Sequence, residues 1–188
     1  GTLEQHIDLN DPSTMRDLAA ATLPASSVHA AVVQGSGSVS HRRPTTTATS
    51  TELTSALQAL VGAKQPIVIA GHGAWLSGAA EQLGAIADQL GAVTASTALG
   101  RGIFPKQSFD LGITGGFGQQ AAMELIGEAD VVLVVGASLN QFTMCFSELF
   151  GAGTTVIRID TDQVAPPKTA HQIDYRLLRG DASEVLSE

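Results

Sequence analysis

Five short stretches carry residues whose types and spacing suit a phosphate or a ribose. The first is IVIAGHGAW, residues 67–75, where an apolar run meets Gly71, His72 and Gly73. Glycines at the end of a buried strand let backbone N–H groups approach a phosphate, and the helix that follows adds its N-terminal dipole. The competing reading is a tight turn between strand and helix that holds nothing. The dinucleotide fingerprint asks for a third glycine three residues after the second, but Leu76 stands there and Gly78 comes two later. No acidic residue closes the next apolar run, AVTAST (92–97), which offers only Ser96 and Thr97 to a ribose. An NAD dehydrogenase is therefore disfavoured. His72 has no second histidine or carboxylate at ligand spacing and reads as a turn residue that could meet a phosphate or a ring. His6, His29, His41 and His171 are dispersed, and Trp75 reads as packing on the sheet edge.

The other four stretches follow in order. STALGRGIFP (96–105) sets Arg101 between Gly100 and Gly102, with Lys106 close by. Such an arginine can clamp a phosphate bidentately or stand in solvent. GITGGFGQQ (112–120) places Gly115, Gly116 and Gly118 ahead of a helix, where N–H groups face outward. GASLNQF (136–142) offers Gly136, Ser138 and Asn140. IDTD (159–162) offers Asp160 and Asp162 to ribose or adenine edges, or Asp162 as a turn cap. RGD (179–181) reads as a strand end followed by Asp181 capping a helix, not as an adhesion motif. No nucleophile elbow, P-loop, HExxH or paired glutamates occur, so no catalytic residues are assigned.

These turns need elements to hold them. STELTSALQALVGA (50–63) has Leu53, Leu57, Leu60 and Val61 at helical spacing, with Ser50 or Thr51 as the cap and Gly62 near the end. PIVIAG (66–71) is a buried strand, and 77–91 a helix with Leu83, Ile86, Ala87 and Leu90 inward. Strands follow at 92–97, 131–138, 154–162 and 175–181, with a helix over 117–130. Strands apolar on both faces, alternating with amphipathic helices, indicate a parallel sheet covered on both sides. The expected fold is a three-layer α/β/α, Rossmann-like domain with a doubly wound, mainly parallel sheet of about six strands. All five turns then fall at the carboxyl ends of strands, where open α/β sheets bind ligands.

Composition narrows the function classes. The chain has 188 residues, 44% hydrophobic and only 4% aromatic, so the core is built from Val, Ile, Leu and Ala. A net charge of -8 without basic clusters argues against nucleic acid. The single Cys145 excludes an internal disulfide and a cysteine zinc site and fits a cytoplasmic location. No apolar run nears the ~20 residues of a membrane span, and no signal-peptide pattern opens the chain. QGSGSVSHRRPTTTATS (34–50) reads as an exposed linker. Before it, a short helix to Ala21 and a strand VHAAVV (28–33) are expected, too little for a core of their own. Residues 1–50 are thus read as an arm and linker ending a preceding domain, and 51–188 as the main domain.

The linear series of helix 51–61, PIVIAGHGA, SGAAEQLGAIADQLGAVTASTALGRGIFP, LGITGGFG, ADVVLVVGASLN, VIRIDTD and RGD resembles the central domain of thiamine-diphosphate-dependent enzymes, the group of acetolactate synthase, pyruvate oxidase and benzoylformate decarboxylase. The resemblance implies a domain lying between a pyrimidine-binding and a pyrophosphate-binding domain, which carry thiamine diphosphate, Mg²⁺ and the activating glutamate. It implies a homo-oligomeric parent that decarboxylates a 2-keto acid. In flavin-containing members this domain binds FAD, and the matching positions are Gly71, Gly73, the Arg101 loop, Gly115, Gly116, Gly136 and Asp160. The acetolactate synthase pattern Gly-Ala-Arg-Phe-Asp-Asp-Arg is replaced here by GASLNQF, so the expectation is weak FAD binding or none. Two rivals differ in class. A stand-alone nucleotide-binding or oligomerisation module needs no flanking domains. An NAD-consuming enzyme of related fold needs a zinc module, which one cysteine does not supply.

Overall fold

A computed structural model describes residues 46–104 and 109–188. The helix and strand expected before residue 34, most of the linker, and Pro105 and Lys106 lie outside the described residues. Six strands form one sheet in the order β3-β2-β1-β4-β5-β6, and every pairing is parallel. The strands are β1 (Pro66–Ala70), β2 (Val93–Ser96), β3 (Asp110–Ile113), β4 (Val131–Val135), β5 (Thr155–Asp160) and β6 (Asp174–Arg179). The order reverses between β1 and β4, which is the topological switch point of a doubly wound sheet. Both central strands are buried at every position, as their unbroken apolar runs require.

Alternate residues feed two cores. Val68, Leu133, Val135, Ile157 and Ile159 face a layer that includes Leu83 and Ala87, beneath helices α1 (Ser50–Val61), α3 (Ala80–Leu90) and α5 (Ala182–Val185). Ile67, Ile69, Val132, Val134 and Val156 face Ile126 of helix α4 (Gln120–Gly127), together with Met144, Leu149 and Phe150 from the connection after β4. Among the described residues no helix is long and apolar enough to cross a membrane.

Four local expectations are corrected. Helix α1 is capped by Thr49, not by Ser50 or Thr51. A capping box needs an acceptor at the third helical position, and only Thr49 has one, in Glu52. Its inward stripe is Leu53, Ala56 and Leu60, at i, i+3 and i+7, while Leu57 and Val61, one position further round the helix, are exposed. The helix expected over 77–91 starts later, as α3 at Ala80, and an unexpected short helix, α2 (His72–Ser77), precedes it and ends at Gly78 in the left-handed region (φ 72°). Strand β3 had no place in the sequence reading. It is a four-residue edge strand with a register shift against β2 and with Gly112 at φ 78°, so its apolar period is broken.

Long-range polar ties fix the outer elements. Thr47 and Ala48 N–H groups donate to the Arg179 carbonyl at 2.9 and 3.0 Å, pinning the chain ahead of α1 to the end of β6. The Asp130 carboxylate accepts the N–H groups of Lys64 and Gln65 at 2.7 and 2.9 Å, joining the entries of β1 and β4. Burial raises the Asp130 carboxyl, but its bonds from Lys64, Gln65 and Val131 outweigh this and hold it below its ordinary value. A depressed folded pKa stabilises the protein above the unfolded value, and that stability is lost as pH falls through the folded one. The stability gap between wild type and Asp130→Asn, measured by urea unfolding, is therefore expected at pH 7 and should shrink below about pH 4. A gap that does not change with pH would refute the electrostatic account.

Candidate functional site

The carboxyl ends of β1 and β4 meet in a backbone-to-backbone joint. The Gly71 N–H donates to the Val135 carbonyl at 2.9 Å, the Gly73 N–H to the Gly136 carbonyl at 2.9 Å, and the Gly136 N–H to the Ile159 carbonyl at 2.9 Å. A methyl group on Gly71 would overlap Ala137 Cα and the Gly136 carbonyl, and one on Gly136 would overlap the Ala74 nitrogen. One on Gly73 would come within 2.8 Å of Gly136 Cα. Gly136 also sits at φ 55°. These glycines serve the close approach of two turns, and their amides are already paired with carbonyls.

The remaining turns are tied in the same manner. The Gly115 N–H points at Met123 Sδ, 3.2 Å away, and also faces the Cys145 thiol, which burial pushes up in pKa and this amide opposes. Gly116 donates to Phe142 O at 3.0 Å and Gly118 to Gly115 O at 2.8 Å. Gly100 donates to Thr97 O, and the Trp75 indole donates to Gly100 O at 3.1 Å, which ties the loop after β2 onto α2. The Asn140 side-chain oxygen accepts from the Phe142 and Thr143 N–H groups, both at 2.9 Å, and so shapes its own turn.

Two cavities flank the joint, and both are lined by Gly136 and Ser138. The first, of about 280 Å³, brings Gly73 and Asp160 together with Arg158, Asp162 and Asp181. The second, of about 260 Å³, collects His72 and Asn140 with Thr97, Leu99, Phe117 and Phe142. Gly71, Arg101, Gly115 and Gly116 line neither. Arg101 follows the 3-10 turn Ala98–Gly100 and is exposed.

Arg158 is the functional-class residue that the sequence reading passed over, although a charged residue inside VIRID was a visible signal. Its side chain is only 9% exposed, and Nε and Nη2 donate to Asp160 Oδ2 at 3.2 and 2.6 Å. Asp160 Oδ1 accepts the Asp162 N–H at 3.2 Å. Both oxygens of the expected ribose acceptor are thus engaged by its own neighbours. Burial pushes the nearby Tyr175 phenol up, with Arg158 opposing and Asp160 adding.

Two rings that sequence spacing did not join, Phe117 and Phe142, line the second cavity, and Phe146 continues their row outside its lining. Phe117, Phe142 and Phe146 are 71%, 47% and 63% exposed, with ring centroids 5.0 and 6.5 Å apart along the row. Cys145, Phe146 and Ser147 are consecutive non-glycine residues at positive φ. Each such residue costs of order 1–3 kcal/mol, so the buried Met144, Leu149 and Phe150 beside them must hold the turn. The strained turn is what carries the Phe146 ring outward.

If these glycines served only to admit a ligand, alanine would leave the unliganded protein's stability unchanged. The joint predicts the opposite. Gly71→Ala and Gly136→Ala should each lower the unfolding free energy by about 3 kcal/mol or more. Gly127→Ala, whose new methyl would meet only Leu149 O at 3.8 Å, should be neutral or stabilising by up to about 1 kcal/mol. Equal behaviour of the three variants in denaturant unfolding would refute the joint.

The family model described as thiamine pyrophosphate enzyme, central domain, matches residues 53–188. No curated protein matches the chain. Among solved structures, the chain is similar to a protein from Mycobacterium smegmatis assigned as a thiamin diphosphate-dependent enzyme, with 24% identity and a TM-score of 0.59. That likeness covers 77% of this chain and 28% of the other, and at this identity it speaks to the fold alone. With the six-stranded order already described, the family match over most of the sequence leads to one conclusion: the chain belongs to the thiamine pyrophosphate enzymes and carries their central domain.

Proposed function

We propose that residues 51–188 form the non-catalytic central domain of a larger, cytoplasmic, homo-oligomeric enzyme that decarboxylates a 2-keto acid, with or without transfer of the resulting carbanion. Residues 1–50 are the end of the preceding domain and its linker. The family match carries this reading, and the chain's span of only 28% of its structural relative is consistent with a part of a larger whole. Thiamine diphosphate supplies the decarboxylation chemistry in such enzymes. The sequence lacks a Gly-Asp-Gly motif with a following Asn, and the described residues contain no group of three His, Cys, Asp or Glu able to hold a metal. The pyrimidine- and pyrophosphate-binding domains are the partners that would hold the cofactor and Mg²⁺. The contribution of this domain is then a rigid sheet and the surfaces against which those partners pack.

FAD fits the residues poorly. The amides of Gly71, Gly73, Gly136, Gly115 and Gly116 are turned to protein acceptors. Arg101 lines neither cavity, and GASLNQF supplies no arginine. Each missing charge-assisted bond costs roughly 1.5–3 kcal/mol, about ten- to a hundredfold in affinity.

Two outcomes are expected. The 188-residue chain mixed with thiamine diphosphate, Mg²⁺ and 2-keto acids should show no turnover, and measurable turnover would overturn the non-catalytic assignment. The purified protein should be colourless, with an FAD dissociation constant above ~10 µM by titration. A yellow preparation holding stoichiometric flavin would sink the second, and Arg101→Ala would then be the first variant to make.

A further inference from the structure

Met123 of α4 closes the turn that carries Phe117, and it does so with its sulfur. The Gly115 N–H donates to Met123 Sδ at 3.2 Å and the Thr114 hydroxyl at 3.6 Å. Both donor residues are buried, so solvent does not stand by as a second acceptor. The methyl of the same side chain lies against Gly118, where an added Cβ would come within 2.6 Å of Met123 Cε. One thioether thus touches the first, second and fifth residues of TGGFG (114–118). The turn in turn holds its neighbours: Gly118 N–H donates to Gly115 O at 2.8 Å, and Gly116 N–H to Phe142 O at 3.0 Å. We infer that Met123 is an oxidation site: a peroxide converts its thioether to the sulfoxide, and the conversion unlatches the 114–118 turn with Phe117 at its tip.

The step needs a peroxide and nothing else. A sulfur lone pair attacks one peroxide oxygen and forms the S–O bond as the O–O bond breaks. The sulfur is oxidised, the peroxide is reduced, and the leaving hydroxide takes the proton of the transferred oxygen and departs as water. That lone pair is not idle here, because two donors are directed at the sulfur. The Gly115 nitrogen already stands at hydrogen-bond distance, so an oxygen placed between it and Sδ must push the turn and α4 apart. The side chain also becomes polar and chiral where it packs against the second core. Met123 is half-buried and within reach of a small oxidant, whereas Met144 is 1% exposed.

The test uses the 188-residue chain and hydrogen peroxide at about pH 5, where the Cys145 thiol carries almost no thiolate to compete. Mass spectrometry of peptide fragments is expected to find Met123 oxidised at least about tenfold faster than Met144. Amide hydrogen exchange over 114–118 should then speed up about fivefold or more, the effect of losing one net hydrogen bond, while β1 and β4 keep their protection. Met123→Leu keeps the side-chain volume and removes the sulfur, so peroxide should leave the exchange of its turn unchanged. Full conversion to Met123 sulfoxide with exchange over 114–118 unaltered overturns the inference. Met144 reacting as fast as Met123 does the same, as does a peroxide response of the turn that persists in Met123→Leu. Loss of protection throughout the sheet would mean that oxidation unfolds the domain and does not open one turn, and it overturns the inference too.

Discussion

Between the carboxyl ends of β1 and β4, two turns touch backbone to backbone, and the rest of the domain is arranged around that contact. Parallel strands that reverse order must diverge at the switch point and usually leave a crevice there. Here the crevice floor is closed by Gly71 and Gly73 lying against Gly136 and Ala137. The amides of these turns extend the sheet ladder toward β4 and β5. No residue with a side chain fits at Gly71 or Gly136 without moving the β1–β4 pairing, which lies at the centre of both cores. The joint is therefore a condition of the fold.

The cleft chemistry follows from that closure. Around that floor, Phe117 from the turn after β3 and Phe142 from the loop after β4 line one cavity, and Asp160, Asp162 and Asp181 at the ends of β5 and β6 line the other. Beyond that wall, Phe146 stands in a run of three left-handed residues, flanked by Met144, Leu149 and Phe150 buried in the second core. The acidic wall stands on Arg158. That buried cation neutralises Asp160 and orients its carboxylate, leaving Asp162 and Asp181 to set the sign of the cavity. Fold stability and site character are thus set by the same few side chains.

Membership in the thiamine pyrophosphate enzymes as their central domain accords with a doubly wound sheet that has a core on each face. A cofactor that performs the bond-breaking asks the protein for orientation and shielding. A doubly wound sheet with both faces covered supplies a stiff body for that task. The exposed Phe117, Phe142 and Phe146 lie in the connections that follow the carboxyl ends of β3 and β4.

Much of this was legible in the sequence. Strand positions, the parallel class, the glycine turns at strand ends and the Asp181 cap follow from local periodicity and local geometry, which neighbouring residues determine by themselves. The cap at Thr49 was equally legible, through its spacing to Glu52. The edge strand β3 was not, because an edge strand needs only one partner and tolerates a bulge and a left-handed glycine that erase its pattern. Nor could spacing decide what the glycines are for. Gly71 and Gly136 are far apart in sequence, and only their meeting at the switch point shows that the missing side chains make room for backbone and not for phosphate. The same holds for Arg158 and Asp160, two residues apart on one face of β5, whose pairing is forced by burial. The sequence by itself determined which elements form and where their turns fall, since those depend on neighbours along the chain. Tertiary structure decided whether the turns face a ligand or each other, since that depends on distances between strands that no local pattern records.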